Sequence, residues 1–181
     1  MPRVANRSAQ LRTASSLLAV AAQRMRTLPT GRDWLELAGI AGVLALCGYG
    51  VSLWSHAVTF SASLPGLRAD PTGFALLALV ALLVPSLAEE LVFRSVLQPD
   101  RLSSGQSWGA SAISLALFIL WHPIQFWTGW FTGQAIFLDP GFLVMAGLLG
   151  LACTLSVHRS GSLWGAVVLH WGVVVVWKAG G

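Results

Sequence analysis

Two adjacent carboxylates and a guanidinium stand in an apolar part of this chain, in the stretch Pro85-Ser-Leu-Ala-Glu89-Glu90-Leu-Val-Phe-Arg94. The sequence holds seven acidic residues in 181, and two of them lie side by side late in an apolar run that begins near Gly73. An ionisable group at the centre of a bilayer span costs about 2.5–3.5 kcal/mol on insertion scales, so such groups mark function. On a helix Glu90 and Arg94 are four apart, share a face and can pair. Glu89 points about 100° away and has no partner within the helix. His122 and His170 stand in later apolar runs. A carboxylate beside two imidazoles, in a site that excludes most water, suits general-base activation of a water molecule. That water could attack a carbonyl while a histidine donates to the oxyanion.

Other chemistries find less support. The chain has no Gly-x-Ser-x-Gly elbow, no glycine-rich phosphate loop and no His-Glu-x-x-His pattern, which argues against a serine hydrolase, a nucleotide enzyme and a zincin. Two histidines and a glutamate could still ligate zinc. The expectation is a site without a cofactor, with zinc as the alternative. Cys47 and Cys153 fall within apolar runs and read as packing residues, since two cysteines make no disulfide framework.

The elements that must position these groups are membrane spans. The chain is 55% hydrophobic and 10% charged, with nine tryptophans and a mean hydropathy of +0.71. A soluble domain carries roughly 25% charged residues. The expected fold is an all-α polytopic membrane protein of about five transmembrane helices in one bundle, at Leu35–Trp54, Gly73–Leu97, Ile113–Phe131, Phe142–Val157 and Leu163–Trp177. A re-entrant or sixth segment near Phe126–Leu138 is the alternative. Residues 1–32 form a basic tail, with a short amphipathic helix around Leu11–Ala22, and 33–181 the helical domain. The tail's composition also fits an organellar transit peptide.

A net charge of +4 does not point to nucleic acid here, because the charge has a better explanation. Six of the eleven basic residues precede residue 33. With the amino terminus inside, the inner segments hold those six together with Arg101 and Arg159, and the outer ones hold only Arg68 and Lys178. This follows the positive-inside rule and places the amino terminus in the cytoplasm of a multi-pass protein, most simply of a bacterial plasma membrane. Trp34, Trp54, Trp108, Trp130 and Trp177 sit near span ends, as an aromatic belt does. His56 and His158 lie at loop edges and carry no expected role. Trp121 and Trp171 flank the two central histidines.

At about 1.5 Å per residue, Glu89 and Glu90 lie roughly 11 Å from the inner face, His122 roughly 13 Å and His170 roughly 11 Å. A lone histidine in a span is ordinarily a packed residue, and Glu90–Arg94 alone could be a packing salt bridge. Three spans bringing their central ionisable groups to one level favour a site.

Glu89-Glu90-x-x-x-Arg94, then Phe118-x-x-x-His122, then His170 on a late helix, resembles the CPBP intramembrane protease family of CAAX prenyl endopeptidases and bacteriocin-processing or immunity proteins. The resemblance covers about residues 73–177. It implies an intramembrane endopeptidase acting on a peptide or membrane-associated protein near the cytoplasmic face. Glu89 would activate water, Glu90 and Arg94 would support it, and His122 and His170 would assist the base and stabilise the oxyanion. The family's third motif usually carries Asn or Asp four residues after the histidine, where this chain has Val174. Losing one oxyanion donor typically costs about 10²–10³ in rate. Trp171, Ser114 or a backbone amide would have to substitute, or the chain would be a weak or inactive partner protein with the same fold. A small proton-coupled carrier is a third possibility, disfavoured by the absence of an internal repeat.

Overall fold

The structure is a computed structural model that describes residues 14–55, 63–98, 105–129 and 134–180. Arg3, Arg7, Arg12, Arg101, His56 and Trp130 therefore lie outside the described residues. The described elements are helical. After α1 (Ala14–Arg26) come α2 (Gly31–Trp54) and the short α3 (Pro65–Ala69). One long helix follows, Pro71–Val96, made of α4 (Pro71–Ala81), a π-helical segment Leu82–Leu87, α5 (Ala88–Glu90) and a second π-helical segment Leu91–Val96. It is followed by α6 (Gly105–Thr128), a 3₁₀ turn at Ala135–Leu138, α7 (Pro140–Ser160) and α8 (Trp164–Gly180).

Four helices are long and apolar enough to cross a membrane, Gly31–Trp54, Pro71–Val96, Trp108–Thr128 and Pro140–Ser160, and Trp164–Gly180 is a shorter apolar helix. The protein is an integral membrane helical bundle. Between Phe126 and Leu138, the described residues form the end of α6 and the 3₁₀ turn.

Local chemistry sets the helix starts. Asp70 and Asp139 each precede a proline and accept from backbone amides of the first turn, Gly73 N at 2.9 Å and Gly141 N at 2.7 Å respectively. An aspartate cap followed by proline at the first helical position satisfies one orphan donor and omits another. Thr30 and Asp33 form a reciprocal capping box at the start of α2. Gly161, at φ 68°, ends α7 in the left-handed conformation that glycine adopts without steric penalty.

Central to the bundle is α7. One stripe of α2, Leu37, Leu44 and Val51, packs with Leu149, Cys153 and Val157 of α7 and with Val167 of α8, while Leu46 and Leu53 face outward. Lipid is as apolar as leucine, so close packing of small residues holds such helices together. Gly165 shows this: a Cβ there would stand 2.5 Å from Ser156 Oγ. Gly150 does so at the site, where a Cβ would meet Leu115 and Phe118 side chains at 2.6 and 2.9 Å.

The tail helix docks on the bundle. Its carbonyls at Arg24 and Met25 accept from Leu163 N (3.1 Å) and Trp164 Nε1 (2.8 Å), at the start of α8. Helix ends leave carbonyls without intrahelical partners, and here the next element supplies the donors. Arg24, itself buried, donates to the main-chain carbonyl of Arg94.

Candidate active site

The helix carrying the two glutamates is irregular where it matters. Val84 is extended (φ −137°, ψ 114°) ahead of Pro85, the conformation that a following proline imposes, and the Val84–Pro85 bond is cis. Leu97 N reaches back to Val92 O, five residues earlier. Such π-helical turns are frequent at functional sites. The span expected at Gly73–Leu97 is present as Pro71–Val96, with Pro85 interrupting its interior.

Glu90 points into the protein, between an arginine and a histidine. Its side chain is fully buried, with Oε2 3.3 Å from Arg94 Nε and Oε1 2.9 Å from His170 Nδ1. Arg94, equally buried, also donates to Gly150 O at 3.0 Å and lies 4.7 Å from the centroid of the Phe118 ring. Gly150 is the point of α7 that lets Arg94 and Phe118 approach. A buried charge is tolerated when it is paired and hydrogen-bonded; Glu90 and Arg94 are paired with each other, and each takes a hydrogen bond elsewhere, Glu90 with His170 and Arg94 with Gly150 O.

Glu89 faces a cavity of about 690 Å³, which it lines with His122, His170, Phe118 and Trp121. Its Oε1 accepts from Trp121 Nε1 at 3.0 Å. Its Oε2 is buried without a hydrogen-bond partner among the described residues and stands 4.0 Å from His170 Nε2. His122 Nδ1 lies 3.0 Å from the Phe118 carbonyl. An acceptor there assigns the proton to Nδ1 and leaves Nε2 as the acceptor nitrogen. The edge-on Phe118 ring sits between the histidines, with centroids 5.3 Å from His122 and 5.9 Å from His170. The expected residues Glu89, Glu90, Arg94, His122 and His170 thus converge from three helices. Among the described residues, no set of three or more His, Cys, Asp or Glu is arranged to hold a metal ion.

Val174 lines the same cavity, one turn beyond His170. Two of the substitutes expected for it are engaged elsewhere. Trp171 Nε1 donates to Ala78 O at 2.7 Å, and Ser114 Oγ donates to Phe93 O at 2.7 Å. A residue that the sequence reading passed over takes their place on the wall. Gln125, one turn beyond His122, is 5% exposed and lines the cavity. Its one sign in the sequence is weak, a neutral amide inside an apolar span three residues from a site histidine. Trp177 also departs from expectation, since it lines the cavity and packs against Phe142 (5.6 Å between centroids).

The cavity lies in one half of the bundle. Its walls come from Leu77 to Phe93 of the long helix, from the amino-terminal half of α7 and from the carboxyl-terminal halves of α6 and α8. The other half is filled by Val157, Leu163 and Val167 and covered by Met25 of α1. The cavity runs from Phe93 and Glu89 to Gln134 and Lys178, at the end of the bundle away from the tail helix.

Comparison with known protein families gives a match. A family model described as type II CAAX prenyl endopeptidase Rce1-like covers residues 71–176, more than half of the chain. No curated protein and no solved structure matches it.

Proposed function

The chain belongs to the Rce1-like family of type II CAAX prenyl endopeptidases, and from that premise we propose that Glu89 activates water to hydrolyse a peptide bond within the membrane. One observation carries this reading: of two neighbouring carboxylates, Glu90 lies between Arg94 and His170, at 3.3 and 2.9 Å, while Glu89 lines the cavity and its Oε2 has His170 Nε2 at 4.0 Å. A water can bridge the 4.0 Å between Glu89 Oε2 and His170 Nε2. Glu89 takes a proton from it as the hydroxyl adds to the substrate carbonyl. The oxyanion that forms accepts from the Gln125 amide, which stands in for the donor that Val174 cannot supply. On collapse the C–N bond breaks, and Glu89 returns the proton to the leaving amine. Glu90 and Arg94 are positioning residues that orient His170 through its Nδ1, and His122 polarises the water through Nε2. The proposed chemistry uses side chains alone, without a metal.

The arginine distribution supports a cytoplasmic tail. With that orientation the cavity opens toward the outer side, and the scissile bond of a peptide or membrane-protein substrate enters from there.

The test is cleavage of an internally quenched peptide library by detergent-purified protein. General-base catalysis contributes about 10²–10⁴ in rate, so Glu89→Gln is expected to lose at least that factor while keeping its elution profile and helicity. A Glu89→Gln protein that cleaves at the native rate would sink the proposal. The wall position of Val174 favours a second reading, a non-catalytic membrane partner. On that reading the native chain cleaves nothing and its partner binding is indifferent to Glu89.

A further inference from the structure

The relay of Arg94, Glu90 and His170 joins two elements, and one residue of the tail helix is bonded to both. Glu90 and Arg94 stand on the helix Pro71–Val96, and His170 stands on α8. On the first of these, the Arg24 side chain donates through Nη1 to the main-chain carbonyl of Arg94. At the start of the second, Leu163 N donates to Arg24 O at 3.1 Å, and Trp164 Nε1 donates to the neighbouring Met25 O at 2.8 Å. The side chain of Arg24 thus holds one helix while its carbonyl holds the other. Arg24 lies outside residues 71–176, the extent of the family match.

Burial sets Arg24 apart from other arginines of the tail side. An arginine at a span end ordinarily keeps its head in water. Arg32 and Arg159 do so, with side chains 87% and 63% exposed, whereas Arg24 is 6% exposed. Burying a guanidinium is costly unless its protons are taken up. The acceptor here is a carbonyl in the last turn of a helix that ends at Val96. Such carbonyls lack intrahelical partners, and a cation beside them offsets the negative end of the helix dipole. Arg24 therefore fixes the turn from which the Arg94 side chain meets Glu90 at 3.3 Å, and Glu90 in turn meets His170 at 2.9 Å.

We propose that Arg24 is a positioning residue of the active site, a clamp by which the tail helix sets the approach of His170 to Glu90. Among the described residues that line the cavity, none belongs to α1. Arg24 acts through Arg94 and the start of α8, without touching substrate. Its effect on turnover rests on the peptidase reading; the clamp itself does not.

The experiment reads the His170 imidazole by nitrogen NMR of histidine-labelled protein in nanodiscs, with its signals identified by their loss in His170→Gln. Arg24→Met keeps a long side chain and removes the donor, and is expected to shift the His170 Nδ1 signal. Arg24→Lys keeps a donor for the Arg94 carbonyl and returns the signal most of the way. Arg26→Met, on the exposed side of α1, leaves it in place. In peptide cleavage Arg24→Met is expected to lower kcat by about 10–10², the scale of a misplacement of about 1 Å, with KM unchanged. An unmoved His170 signal in Arg24→Met would overturn the proposal. So would a lysine variant displaced as far as the methionine one, or a loss confined to KM. Should Arg24→Met not reach the native elution profile, Trp164→Phe takes its place, removing the donor to Met25 O and leaving Arg24 intact. Its Leu163 amide is expected to exchange faster and its His170 signal to move. Faster exchange with an unmoved His170 signal would count equally against the clamp. If the native protein cuts nothing while the His170 signal still follows Arg24, the peptidase reading fails and the clamp stands.

Discussion

Glu89 and Glu90 are neighbours with identical side chains, and their surroundings give them opposite duties. Glu90 is fully buried between Arg94 and His170, so Glu90→Gln leaves Arg94 without its counter-charge. Breaking a buried pair by removing one partner costs about 3–5 kcal/mol, and a lower thermal midpoint is expected in a nanodisc melt. Glu89→Gln is expected to melt near the native temperature and lose only turnover. Gln125 supplies the complementary prediction. Gln125→Leu is expected to lower kcat by about 10²–10³ with little change in KM, and adding Val174→Asn to that variant should recover part of the loss. If Gln125→Leu changes KM alone, the amide binds substrate and does not serve the oxyanion. The five clustered residues were legible because charge is conspicuous in apolar spans. Gln125 was not, because a neutral amide costs little in a span and its direction depends on the exact turn of α6 beyond Pro123.

At the scale of elements, the site depends on how closely α7 passes the irregular helix. Gly150 admits Arg94 to its own carbonyl and Phe118 to the space beside it. Gly150→Val would overpack this crossing, which typically costs about 1–3 kcal/mol, and should lower both the melting temperature and turnover. The docked tail helix predicts a related effect. Arg24 bonds the Arg94 carbonyl within the π-helical segment, so Arg24→Met leaves that buried acceptor unsatisfied, at about 1–3 kcal/mol. Hydrogen exchange at 91–97 should rise in this variant and not in Arg26→Met, whose side chain is exposed. The span limits were legible to within a few residues, because hydropathy and the Asp-Pro starts mark them. The break at Val84 had its sign in Pro85, but proline within an apolar run can bend a helix or interrupt it. The tail helix runs to Arg26, four residues beyond its expected end, because its last carbonyls are satisfied by Leu163 and Trp164. Tertiary donors of that kind leave no local pattern.

At the scale of the molecule, the polar layer divides the bundle into a packed half under the tail and an open half around the cavity. Charge counting gives the sidedness and the structure gives the half, and together they make an accessibility prediction. In a Cys47→Ser background, Gln134→Cys on the cavity wall away from the tail should react with a membrane-impermeant maleimide added outside intact cells. Leu28→Cys, between α1 and α2, should react only after lysis. The reverse pattern would invert the proposed orientation.

The Glu90–Arg94 pair also bears on how the chain enters the membrane during synthesis. Pro71–Val96 emerges before α6 and α8, so Trp121 and His170 do not yet exist to receive its carboxylates. Two acids and a base inserted separately would add several kcal/mol to partition into lipid. Because Glu90 and Arg94 lie one turn apart on the same helix and bond each other, that helix carries its own neutralised pair across the translocon and leaves Glu89 as its one uncompensated charge. In a glycosylation-mapped insertion assay, Arg94→Leu should therefore lower the inserted fraction of this span although it removes a charge.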